Sequence, residues 1–259
     1  MRRSNYKNKK QKSKIKIIVI FFGFLVLLFV LLILFFWKLY SLDKFIYVNK
    51  ANDGSAEIII IDPSLEKSHK YLIPSEIELN SARGYGSYKL SSLWALCEKN
   101  GNDCKLIPET ITKNFSTPIY FWKNGRSTNL SFIQNVKAYF FAKKYLDYDE
   151  TIHTTKLPNS ILINFINPNF LNSIPKIEIE DLSGELNIME KVSRIIEVIG
   201  GKISLNSKGY EENLNCEVYG KDLELAQIFA DTFSCDIIYD KTISTDIKIR
   251  LGAKFIDRF

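Results

Sequence analysis

Ile177-Glu178-Ile179-Glu180-Asp181-Leu182-Ser183-Gly184 sets the reading of the chain. Apolar and acidic residues alternate over 177–180, the period of a strand with one buried face. Beyond the Ser183-Gly184 turn, Leu186, Met189, Val192, Ile196 and Ile199 recur at helical spacing over 185–199, and Gly200-Gly201 stop that helix. Strands are expected at 202–205 and 215–219. A second helix follows, capped by Asp222 and carrying Leu225, Ile228, Phe229 and Phe233, and then strands at 236–239 and 247–251. The order β-α-β-β-α-β-β predicts a small mixed sheet with helices on one face, occupying residues 176–259.

Upstream, Pro158, Pro168, Pro175 and several asparagines make 159–175 read as a linker, with a strand at Ile161-Leu162-Ile163. Residues 42–158 read as a first mixed domain. Its strands fall at 45–48, 57–61, 70–73 and 119–122, and Asn52-Asp53-Gly54 and Asn124-Gly125 make turns. Helices are expected at 90–99 and 130–146, with a helical turn at 108–114, and His69 falls in a loop. The fold class is therefore α/β (α+β), with two small mixed-sheet domains.

Ahead of both lies an uncharged apolar run, residues 17–37, which as a helix would be about 31 Å long against a hydrocarbon core of about 30 Å. Arg2, Arg3, Lys7, Lys9, Lys10, Lys12, Lys14 and Lys16 precede it with no acidic residue among the first 16. The expectation is a basic cytoplasmic tail (1–16), an uncleaved transmembrane signal anchor (17–37) and extracytoplasmic domains, a single-pass protein of the cell membrane with the lipid bilayer as a partner. Those eight basic residues also supply the net charge of +6: the remaining chain carries 6 − 8 = −2. Nucleic acid is not an expected partner, because its binding needs positive charge on the folded module.

Four cysteines, Cys97, Cys104, Cys216 and Cys235, allow three pairings, and the sequence leaves the choice open. A local Cys97/Cys104 bridge and a Cys216/Cys235 bridge across two strands are the candidates, in a compartment where disulfides persist. Neither spacing is that of a paired zinc site.

Residues 176–255 resemble the C-terminal domain of the LytR–CpsA–Psr family of bacterial cell-envelope proteins. The likeness rests on the opening Ile177–Gly184 and the closing Asp246-Ile247-Lys248-Ile249-Arg250-Leu251-Gly252-Ala253-Lys254-Phe255. A second likeness lies upstream. The family's catalytic domain transfers glycopolymers from a lipid pyrophosphate carrier to peptidoglycan and has a strand ending in Ile-Pro-Arg-Asp, followed by a glycine-containing loop. Here Ile73-Pro74-Ser75-Glu76 takes the first place and Gly84-Tyr85-Gly86-Ser87-Tyr88-Lys89-Leu90 resembles the second. Ser75 replaces the family's phosphate-clamping arginine, and the later arginine-rich segment has no counterpart. The resemblance implies a shortened relative without its phosphotransferase centre.

Arg83, Tyr85, Tyr88 and Lys89 are the candidate ligand-binding residues: two cations and two rings around a glycine loop. No catalytic residue, cofactor or metal ligand is assigned. Arg126 is a further cation, and Glu76, Asp62 and Asp103 are carboxylates without diagnostic spacing. The expected function is binding or organisation at the cell envelope, with cell-wall glycan, lipid-linked phosphate or an envelope protein as partner. The alternative is a divergent phosphotransferase that attaches lipid-linked glycopolymer to the wall.

Overall fold

The computed structural model describes residues 21–34, 44–99, 103–171 and 173–258. The chain divides into two units, Met1–Leu42 and Asp43–Phe259. In the first, residues 21–34 form helix α1, all of its side chains exposed. No helix among the described residues is long and apolar enough to cross a membrane. The expected membrane-spanning helix over 17–37 is therefore corrected, and the single-pass membrane placement with it. That expectation came from apolar composition over 21 residues. The tail 1–16 and the flanks 17–20 and 35–37 lie outside the described residues.

The second unit holds, in chain order, β1 (Phe45–Lys50), β2 (Ala56–Asp62), β3 (Lys67–Ile73), β4 (Glu78–Asn80), β5 (Ser87–Lys89), α2 (Leu90–Lys99), α3 (Leu106–Phe115), β6 (Phe121–Asn124), β7 (Ser127–Thr128), α4 (Phe132–Tyr145) and β8 (Leu146–Thr151). It continues with α5 (Asn159–Leu162), β9 (Lys176–Leu182), α6 (Ile188–Ile199), β10 (Lys202–Lys208), β11 (Cys216–Gly220), α7 (Leu223–Phe233), β12 (Asp236–Tyr239), β13 (Ile247–Gly252) and α8 (Ala253–Arg258). This is a mixed α/β protein with several sheets.

The first sheet runs β7-β6-β1-β2-β3-β8. β1, β2 and β3 form an antiparallel meander, and β6 and β8 join its two sides in parallel. Alternation decides which core each side chain enters. Ile46, Val48, Ile58 and Ile60 pack with α2 and α3 residues such as Leu93, Trp94 and Ile111. Phe45, Tyr47, Ile59 and Ile61 point the other way, against Ala138 and Phe141 of α4. Both faces are covered, so the central strands read as continuous apolar runs.

Three local readings change. The strand expected at 161–163 is α5 followed by a 3-10 turn over Ile163–Phe165. Pro158 precedes it in extended geometry, and Ile161 and Phe165, one helical turn apart, bury together in the first core. β8 falls where a helix end and loop were expected; its acidic residues hide a strand that is made by parallel pairing with β3. His69 belongs to β3 rather than a loop, its ring stacked 6.3 Å from Tyr71.

The second sheet runs β10-β9-β13-β11-β12. Ile177, Ile179, Val218, Ile247, Ile249 and Leu251 bury against Val192, Ile196, Phe229 and Phe233 of α6 and α7. The opposite face carries an ion-pair ladder. Arg250 reaches Glu180 at 2.9 Å, Glu217 at 2.8 Å and Glu211 at 2.6 Å, while Lys248 meets Glu178 and Glu180 at 3.2 and 3.1 Å. Burial works against the Glu180 charge, but hydrogen bonds from Lys248 and Arg250 outweigh it and hold the carboxyl below its ordinary value of 4.5. A depressed carboxyl stabilises the fold above the unfolded value and loses that contribution as pH falls through the folded one. Arg250→Leu is expected to cost about 2 kcal/mol at neutral pH by leaving three carboxylates without it. Denaturant melts of both proteins should show that difference shrinking below the ordinary glutamate value; a pH-independent difference would refute the charge account.

Candidate functional site

The four predicted residues sit on one hairpin, β4–β5, in which Leu79 pairs with Tyr88 and Glu78 with Lys89. Ser81 closes its turn, donating from both N–H and Oγ to the Gly86 carbonyl at 2.9 and 2.7 Å. Inside that closure Arg83, Gly84 and Gly86 take φ of 63°, 68° and 93°. Glycine adopts this region freely, whereas an arginine does so at some cost and needs its surroundings to hold it. Glu109 does so here: Arg83 Nε donates to Oε2 at 2.7 Å and Nη2 to Oε1 at 3.1 Å. The hydrogen bond to Glu109 raises the guanidinium above its ordinary value, against the opposing effect of burial.

Helix α3 is the platform for this hairpin. The Ala82 N–H donates to Thr110 Oγ1 at 3.0 Å and Lys113 Nζ to the Ser81 carbonyl at 3.1 Å. Asn114 grips both backbone groups of Asn80, at 2.8 and 3.1 Å. Helix α8 packs against the same turn. Lys89, on β5, donates to Glu76 at 2.6 Å on the exposed surface, and that bond raises its ammonium above the ordinary value. Each candidate cation thus has a carboxylate of its own. The rings remain open: Tyr85 is 50% and Tyr88 42% exposed.

The other candidates lie apart. Arg126 follows Gly125 in the turn between β6 and β7. Asp62 pairs with Lys44 at 3.6 Å and accepts from the Ser64 backbone, and Asp103 precedes α3. Among the described residues no three His, Cys, Asp or Glu side chains gather as a metal site would need. Glu109, 26 residues from Arg83, went unread in the sequence: it shows only as an acidic residue in a helix's first turn. Cys97 is bonded to Cys104, and Cys216, the first residue of β11, to Cys235, just ahead of the neighbouring parallel strand β12. Two disulfides fit an extracytoplasmic domain.

No family model matches this sequence, and no curated protein matches it. Solved structures with some likeness include a transcriptional regulator from Enterococcus faecalis (15% identity, TM-score 0.26), with 33% of each chain covered. A protein from Streptococcus agalactiae shares 11% identity over 79% of this chain and 92% of its own, at a TM-score of 0.26. A LytR-CPS2A-psr family protein, TagT, solved with bound octaprenyl pyrophosphate lipid, shares 15% identity over 81% of this chain and 85% of its own, at a TM-score of 0.27. The chain spans about a third of the length of the Enterococcus protein.

Proposed function

We propose that this protein is a binding or organising module of the bacterial cell envelope whose contact surface is the β4–β5 hairpin, with Tyr85 and Tyr88 as its rings. The observation that carries the reading is the pairing of Arg83 with Glu109 and Lys89 with Glu76 beside two exposed tyrosines. Transfer from a lipid pyrophosphate needs cations free to meet the charge that develops on phosphate. Cations already neutralised serve better as struts that hold a loop in one shape, and a loop so held presents its rings at little entropic cost. The envelope assignment draws on the sequence likeness of residues 176–255 and on the two disulfides.

Retention of the purified chain on isolated cell-wall glycan tests the reading. Replacing Tyr85 and Tyr88 together by alanine is expected to weaken binding about tenfold, at roughly 0.5–1.5 kcal/mol for each stacked ring. Equal retention of the double variant and the parent would rule the hairpin out. Turnover of lipid-linked glycopolymer by the purified chain would favour the transferase instead.

A further inference from the structure

Helix α3 also borders a cleft of about 240 Å³, walled by Glu109, Tyr120 and Phe121 on one side and by Asp231 and Ser234 at the end of α7 on the other. Lys105 stands exposed on its rim. Asp231 is poorly placed for a negative charge. It is half-buried in the last turn of α7, where the free carbonyls already supply negative potential. Its partner among the described residues is the neutral Gln227 amide, which donates to one carboxylate oxygen at 2.7 Å. Burial accordingly pushes the Asp231 carboxyl up from its ordinary value, against the pull of Gln227. Glu109 offers no such frustration, being matched by Arg83.

The facing wall is aromatic. The Tyr120 and Phe121 rings lie 4.3 Å apart and tilted to one another. Burial, and then the charge of Asp231, keep that phenol protonated well above its ordinary range. A carboxylate oxygen, a phenol oxygen and aromatic faces around one small volume supply an ion pair, a neutral acceptor and a ring quadrupole, the three attractions an organic cation uses. Gln227 already occupies one side of the Asp231 carboxylate, which hinders the two-pronged grip of a guanidinium and leaves a compact ammonium as the better match.

We infer that this cleft binds a primary ammonium group carried on a short aliphatic arm, with Asp231 as its counter-ion and Tyr120 and Phe121 as its aromatic wall. The inference stands apart from the envelope reading, since it uses neither the hairpin nor the compartment. A half-buried charge met inside the fold only by a neutral amide is the kind of local inconsistency that a binding site retains.

Calorimetric titration of the full chain with cadaverine (1,5-diaminopentane) at low ionic strength tests it. Saturable binding is expected, weakened about tenfold by Asp231→Asn and tightened by Lys105→Met, which removes the like charge at the rim. Pentan-1-ol, without a charge, should not compete. Asp231→Asn should melt no lower than the parent, because it discards a carboxylate whose raised value marks its ionised form as unfavourable at neutral pH. Absence of saturable cadaverine binding, or equal affinity of parent and Asp231→Asn, would overturn the assignment, as would competition by pentan-1-ol.

Discussion

Gly252→Ala is expected to lower stability by about 3 kcal/mol, at the upper end of what overpacking usually costs. For a folded unit of this size that is a fall in Tm of roughly 6–12 °C. The cause is a close approach rather than conformational freedom, since Gly252 is not among the glycines at positive φ. It ends β13 and donates its N–H to the Asn215 carbonyl at 2.8 Å, which draws the strand against residues 214–215. A Cβ at this position would stand 2.1 Å from the Leu214 carbonyl oxygen and 2.4 Å from its Cβ. The oxygen is backbone, so no rotamer change relieves the contact, and either β13 or the 214–215 segment must move.

Two comparisons make the prediction specific. Gly220→Ala, whose Cβ would meet the Ala226 Cβ at 2.8 Å and the Asp222 carbonyl at 3.0 Å, should cost distinctly less. Trimming Leu214 to alanine should not rescue Gly252→Ala, because the shortest contact is with the main chain. Thermal melts of the three variants check the order. Rescue by Leu214→Ala would mean that side-chain crowding, not backbone approach, is what keeps this residue a glycine.

Gly252 also marks how far the sequence could be read. The alternation of Ile247, Ile249 and Leu251 with Lys248 and Arg250 announces a strand with one buried face, and so does Ile177 and Ile179 with Glu178 and Glu180. That signal is local, because a two-residue period is written wherever one face meets the core. The need for glycine at 252 depends on Leu214, far off in sequence, and no local pattern states it. β8 shows the same limit from the other side: Asp147, Asp149 and Glu150 argue against a strand, and pairing with β3 makes one. Over 161–163 an apolar run of three had no period to read, and a turn begun after Pro158 won.

The candidate site follows the same rule. The glycine loop and its tyrosines were legible because turn chemistry is local. The contacts that give the loop its meaning, Arg83 to Glu109 and Asn80 to Asn114, span 26 and 34 residues. Tyr120 and Asp231 meet over a still longer separation, with neither residue distinguished in its own neighbourhood. Cations that looked available as single residues turned out to be matched once the fold was formed.

Reduction of the two disulfides is the other large effect expected. Chain-entropy arguments give about 3 kcal/mol for a closed loop of the Cys216–Cys235 size and about 2.5 kcal/mol for one of the Cys97–Cys104 size. The sequence separations are 19 and 7 residues. Cys97, Cys104 and Cys216 are all buried within apolar cores, so alanine pairs are the cleaner replacement than serine pairs. Cys216→Ala with Cys235→Ala should lower Tm more than Cys97→Ala with Cys104→Ala. Each pair should abolish its own share of the shift that a reductant causes in the parent, and alkylation of the unreduced, unfolded parent should modify no cysteine. A parent whose melt ignores reductant would show that the bonds carry no stability. Together they are worth about 5–6 kcal/mol, against a total of about 5–15 kcal/mol for a typical folded domain. On that balance, loss of both bonds would remove much of what keeps residues 43–259 folded.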